Sequence, residues 1–234
     1  MWHSEKPFEN LMTRRELLVG LSFVPVHIFA LPILIAMYNS VSGGNMTRFT
    51  INAVYCFIGV AVIVMALHNF LRTSLDSLLD RPGGVGLSLA TAFFAENILN
   101  YLSLIVLLEI HGSKLMVLGE TFTTMKAPTY GALFALTVFV EPFVTEVVFR
   151  GVVFGGLRSK NRALAYIVSI IVYALAGIWP QALAQWNPLT LTYALQFVPL
   201  GLTAAWVYDN TGSVWSPIFL HMLINFSALI VADL

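Results

Sequence analysis

Residues 143–156 read FVTEVVFRGVVFGG. Among these side chains only Thr145, Glu146 and Arg150 are polar; the rest are Phe, Val and Gly. Glu146 and Arg150 are four apart, so on a helix they share a face and can pair, which offsets much of the cost of removing two charges from water. A carboxylate and a guanidinium inside so apolar a run fit the interior of a membrane bundle. Ionisable groups at that depth face protein or a cavity and carry a functional hypothesis with them.

Composition gives the same class. Of 234 residues, 58% are hydrophobic and 10% charged, with mean hydropathy +0.83, against roughly 25% charged in soluble domains. The formal net charge of zero supplies no basic stripe, so nucleic acid is not an expected partner. Cys56 is the single cysteine and sits in an apolar run, which excludes a disulfide framework and a multi-cysteine metal site. It reads as a small buried residue.

A spanning helix takes about 20 mostly apolar residues. Seven segments qualify, at about 17–38, 51–71, 86–110, 131–157, 163–180, 189–207 and 214–232. The expected class is all-α, a polytopic transmembrane helical bundle. MWHSEKPFENLMTRRE, before the first segment, is too long and too acidic for the charged start of a cleaved signal peptide, so that segment is expected to remain as a span. NSVSGGNMTR and LDRPGG are turn-rich connectors, and RSKNR is a short basic hairpin. No period of 20 to 50 residues appears, so residues 1–234 read as one membrane domain.

Cytoplasmic loops carry the excess of Lys and Arg. With the N-terminus inside, Lys6, Arg14, Arg15, Arg72, Arg81, Arg158, Lys160 and Arg162 fall on the cytoplasmic side, and Arg48, Lys114 and Lys126 outside. HGSKLMVLGETFTTMKAPTYG then becomes an external loop. The C-terminus carries only Asp233 and does not disturb the count.

The ionisable residues at membrane depth are Glu96, Glu141, Glu146, Arg150 and His221. His221 and Asn225 repeat the four-residue spacing on the last helix and point an imidazole and an amide in one direction; interhelical hydrogen bonding is the plainer use of such a pair. His68 with Asn69, and Glu96 with Asn97 and Asn100, are expected to face the bundle or a water-filled cavity. His27, near Pro25, is expected to be satisfied by a backbone carbonyl. Catalytic zinc takes three protein ligands plus water; His221, Glu146 and Glu141 are the nearest to such a set, Glu146 is engaged by Arg150, and no HExxH spacing adds to them. Neither a metal nor a cofactor is expected.

TEVVFRGVVFGGLRSKNRALAYIVSIIVYAL, followed by VPLGLTAAWVYDNTGSVWSPIFLHMLINF, resembles the CPBP family, the CAAX-protease and bacteriocin-processing (Abi) intramembrane proteases, over about residues 140–230. That family carries Glu-Glu-x-x-x-Arg, then Phe-x-x-x-His, then His-x-x-x-Asn on successive helices, and YDNTGSVWSP stands where members carry a similar turn. The resemblance makes Glu146 the second Glu of the first element and Arg150 its Arg, with Thr145 where the first Glu belongs. The second element falls on residues 173–177 and puts Gly177 where its His belongs. His221 and Asn225 complete the third. In active members, the resemblance implies, the first Glu and the second-element His activate a water while the last His and Asn stabilise the oxyanion.

A general base must reach the proton it takes. Thr145 cannot serve unaided, and Gly177 has no side chain. The stabilising half survives in His221 and Asn225, with Glu146 and Arg150 as scaffold. Glu141, one helical turn before Thr145, is a possible substitute base if Pro142 kinks the helix toward the vacated place. The resemblance therefore implies a CPBP-type fold with a degenerate site, binding or regulating a membrane-proximal peptide or a membrane protein in a setting such as bacteriocin immunity. The alternative is an active intramembrane endopeptidase, CAAX-type or leader-processing, using Glu141 or another base. A transporter is the third reading, and the lack of an internal repeat counts against it.

Overall fold

The computed structural model describes residues 8–80, 82–115, 127–184 and 187–232, and the described chain is helical with no strand. Helix α1 spans Arg14–Val41, α2 Arg48–Ala66, α3 His68–Leu79, α4 Pro82–His111, α5 Tyr130–Arg158 and α6 Arg162–Ala184. A tight 3-10 stretch, Pro188–Phe197, leads into α7, Val198–Thr211, and α8 is Trp215–Ala232. Among the described residues six helices are long and apolar enough to cross a membrane, and Trp215–Val231 is a shorter apolar one. The protein is a multi-pass helical bundle of about seven spans. Large apolar side chains such as Phe57, Met65 and Phe94 stand exposed on its outside, which suits lipid rather than water as their neighbour. Lys6, Arg81, Lys126 and Asp233, and residues 116–126 of the expected external loop, lie outside the described residues.

The second expected span, 51–71, is interrupted. Helix α2 stops at Ala66, and Leu67 at φ −120°, ψ 20° breaks the ladder before α3 begins. A helix start leaves N–H groups without partners, and Glu16 supplies one. Its Oε2 accepts from the Thr13 N–H at 3.0 Å in a capping box at the start of α1, while Oε1 accepts from the Phe70 N–H at 2.9 Å. One buried carboxylate thus caps two helices and joins them. Helix α3 then buries Phe70 and Ser74 and leaves Arg72, Thr73 and Asp76 exposed; His68 and Asn69 are exposed too, contrary to the expectation that they face the bundle.

Helix α5 is the centre of the bundle. Its apolar window is 56% buried, more than in any of the other five long helices, and every residue of Val147–Phe154 is buried. Its neighbours come close because they carry glycine. A Cβ on Gly20 of α1 would stand 2.7 Å from Val152, and one on Gly59 of α2 would stand 2.7 Å from Val144. Small residues that let helices approach this way are a principal means of packing where water gives no drive between helices. The chain widens into π turns over Ala135–Val140 and Val147–Phe154. The first of these directly precedes Glu141 and Pro142, and a proline N has no hydrogen to continue the regular ladder. Glu141–Glu146 between them is regular helix, so Glu141 and Thr145 stay on one face.

The α7–α8 turn locks the rest together. Gly212, at φ 72°, returns its N–H to the Tyr208 carbonyl at 2.8 Å, a left-handed ending that glycine adopts without strain. Ser213 Oγ donates to the Ser74 carbonyl at 2.6 Å, the Val214 N–H donates to Ser74 Oγ at 2.8 Å, and Trp215 Nε1 donates to the Leu71 carbonyl at 2.9 Å. Asp209 receives Arg158, Arg162 at 2.8 Å and the Tyr166 hydroxyl at 3.1 Å. The RSKNR hairpin and the turn motif are therefore two sides of one cluster.

Candidate functional site

Glu146 and Arg150 lie on α5, four residues apart, and both are fully buried. Arg150 Nε stands 3.1 Å from Glu146 Oε2. The guanidinium also donates to the Leu200 carbonyl on α7 at 3.1 Å and lies 4.4 Å from the centre of the Tyr173 ring on α6. One side chain thereby pairs within α5 and ties it to α7 by a hydrogen bond and to α6 by a cation–π contact.

The other oxygen of Glu146 is engaged as well. His221 Nδ1 donates to Glu146 Oε1 at 2.8 Å, and the imidazole is 5% exposed. Glu146 is thus shared between the first and third sequence elements instead of belonging to Arg150 alone. With Nδ1–H held by the carboxylate, a neutral His221 leaves Nε2 as an acceptor, and only the protonated ring offers a donor there. Asn225 donates to the Thr137 carbonyl on α5 at 2.8 Å. His221 and Asn225 of α8 both face α5, His221 against a side chain and Asn225 against the backbone of the first π turn.

Thr145 is half-buried on the same helix. Gly177 is the more informative place. A Cβ built there would meet the Phe197 ring at 2.3, 2.5 and 2.7 Å. Phe197, the last residue of the 3-10 stretch, also packs edge-on against Tyr173, with ring centres 5.8 Å apart. Tyr173 and Gly177 lie one turn apart on α6, so a phenyl ring fills the space that a side chain at 177 would need. Sequence reasoning missed Phe197 because no motif contains it.

Glu141 is partly exposed on the turn before Thr145, and its charge reaches Tyr55, Cys56 and Tyr173. Glu96, at the midpoint of α4, is 5% exposed, and its charge interacts with that of His221. The bundle-facing expectation for Glu96 agrees with this burial, while Asn97 turns out to be exposed and donates to the Phe93 carbonyl of its own helix. His27 departs from expectation. Its Nε2 lies 2.7 Å from the Tyr55 hydroxyl and the rings stack, so its partner is a side chain and not a carbonyl. His111 ends α4, 2.8 Å from the Thr192 hydroxyl and stacked on Tyr193. No group of three potential metal-ligating side chains gathers among the described residues.

Residues 127–227 match the family model described as Type II CAAX prenyl endopeptidase Rce1-like. The match falls on the motif-bearing region and covers less than half of the chain. A Bacillus subtilis (strain 168) protein named "Putative membrane peptidase YdiL" is 29% identical over 87 residues, which cover 37% of this chain. The chain spans only 31% of that relative's length in the match. No solved structure matches the chain.

Proposed function

We propose that this protein uses a CAAX-protease-like membrane fold to hold a membrane-embedded or membrane-proximal peptide segment without cutting it, and so regulates or sequesters a membrane partner. One observation carries this reading: the Phe197 ring occupies the space beside Gly177. In the family the resemblance implies a water-activating histidine there. With Thr145 in place of the first glutamate, both members of the activating pair are absent, and the place of one is filled. Glu146, Arg150, His221 and Asn225 remain, and each has a packing or hydrogen-bonding partner that serves the fold.

An active endopeptidase is the second reading, supported by the Glu146–His221 pair. A carboxylate that orients an imidazole is a unit that general-base catalysis also uses, and Glu141 is on the same face as Thr145. The two readings separate in one assay. The full chain in liposomes is presented with a panel of membrane peptides, prenylated and unprenylated, beside Glu141→Ala and His221→Ala. The binding reading expects retention of peptide with no cleavage above the empty-liposome rate. Cleavage by the native chain that either variant abolishes overturns it. The combination Thr145→Glu, Gly177→His and Phe197→Ala rebuilds the activating pair and clears space for it; gained cleavage assigns the site directly.

The orientation that goes with this reading puts the N-terminus and the Arg158–Arg162 hairpin in the cytoplasm, following the distribution of Lys and Arg. Residues 1–234 then act as one membrane domain, with residues 131–232 bearing the motifs.

A further inference from the structure

Glu96 is buried to 5% exposure at the midpoint of α4, where a span is deepest in the membrane. Among the described residues it has no hydrogen-bond or ion-pair partner, and its oxygens are not among the polar atoms sealed off without one. Its carboxylate oxygens therefore keep a small accessible surface. One turn before it, Ala92 packs with Leu200, Ala204 and Val207 of α7 and Leu220 of α8. Glu96 thus continues the face of α4 that meets the α7–α8 seam, with Asn100 and the buried Ser103 further along that face.

The basic groups beside this seam pair with Glu146 and not with Glu96, although Arg150 Nη1 is buried without a hydrogen-bond partner. Arg150 Nε and His221 Nδ1 each face one oxygen of Glu146, and the remaining guanidinium contacts are to the Leu200 carbonyl and the Tyr173 ring. A carboxylate at membrane depth without a donor is costly, and charged groups there pair with one another or line a pathway. Among the described residues Glu96 has only a through-space charge interaction with His221, whose Nδ1 is turned to Glu146, and no donor hydrogen-bonds its carboxylate; a donor from outside the chain would complete it.

We propose that Glu96 is the counter-ion of a subsite at the α4–α8 seam that takes the lysine or arginine side chain of a membrane-embedded peptide. The inference rests on the peptide-binding reading and adds a charge preference to it. The cation is held between the Glu96 carboxylate and the amide of Asn100, at the depth of the midpoint of α4, and apolar residues of the peptide occupy the seam on either side.

The test uses the full chain in phosphatidylcholine nanodiscs, whose headgroups offer no N–H donor. The probes are two labelled helical Leu/Ala peptides, identical except that one has lysine and the other norleucine at its midpoint. Hydrogen bonds to charged groups in such a site correspond to about a tenfold or greater gain, so the lysine peptide binds about tenfold tighter. Glu96→Gln abolishes that difference while norleucine-peptide binding persists, and Glu96→Asp retains part of it. Equal binding of the two peptides to the native chain, or a preference that survives Glu96→Gln, overturns the inference and leaves the peptide-binding reading standing. Failure of both peptides to bind the native chain overturns the peptide-binding reading and the subsite with it.

Discussion

Gly177→Ala is the smallest change that probes whether Phe197 has closed the second-element position. In a helix interior, exchanging glycine for alanine gains about 0.5–1 kcal/mol, because alanine loses less backbone freedom on folding. Here the new methyl would lie 2.3 Å from Phe197 Cζ and within 2.7 Å of two more ring carbons. Carbon atoms rest about 3.5–4.0 Å apart, so the ring must withdraw by roughly 1 Å and give up its edge contact with Tyr173. Overpacking of this kind costs about 1–3 kcal/mol. The clash outweighs the entropy gain, and the expected net effect is destabilisation by about 0.5–2 kcal/mol. On the scale for domains of this size, that lowers Tm by roughly 2–4 °C per kcal/mol. In a Phe197→Ala background the clash is gone and the same substitution becomes stabilising by about 0.5–1 kcal/mol. Thermal unfolding of the four chains in one detergent or nanodisc therefore gives a sign reversal and a coupling of about 1–3 kcal/mol. Equal effects of Gly177→Ala in both backgrounds would refute the closed-position argument.

Three further substitutions have definite expectations. Glu146→Gln removes the charge that meets both Arg150 and His221, leaving a buried guanidinium uncompensated; a loss of about 3–5 kcal/mol is expected, read as loss of the monodisperse folded species in size-exclusion chromatography, and a stable variant refutes the shared-carboxylate account. Glu16→Ala strips the caps from α1 and α3 together, costing about 1–3 kcal/mol, and hydrogen exchange should rise at Phe70 as well as at Thr13; a rise confined to Thr13 would contradict the double cap. Gly59→Val pushes α2 off Val144 and should lower Tm, whereas valine at the open position Gly86 should not.

The membrane class and the helices were legible because apolar length is a one-dimensional property, and six of the expected segments coincide with long helices. The break at Leu67 was not, since the apolar run continues past it and the cause is a carboxylate 54 residues earlier that accepts from the Phe70 N–H. The Glu146–Arg150 neighbourhood follows from a four-residue spacing on one helix. That His221 takes the other oxygen of Glu146 requires α5 and α8 to meet, which spacing within a single helix cannot report. The turn motif was visible as a pattern, but its use was not: Ser213 clasps Ser74, and Asp209 gathers Arg158, Arg162 and Tyr166. Phe197 was invisible for the same reason, being significant only through the glycine it faces.

On the proposed reading, these contacts also explain how such a fold would keep its shape with its activating pair replaced. Glu146, Arg150 and His221 form a buried chain whose removal leaves an unpaired charge or polar group, so each is held in place by stability whatever the chemistry. Thr145 and Gly177 differ: neither has a side-chain hydrogen bond or ion pair among the described residues to lose, and glycine at 177 lets Phe197 pack against Tyr173. Replacing a catalytic acid or base at such positions relieves buried polarity and adds apolar contact. On the proposed reading, the residues that persist are therefore those the bundle needs to fold, and those that changed are the ones only the chemistry needed. Glu96 is the exception, a buried carboxylate with no hydrogen bond or ion pair among the described residues, and that is why the proposed ligand-binding role falls to it.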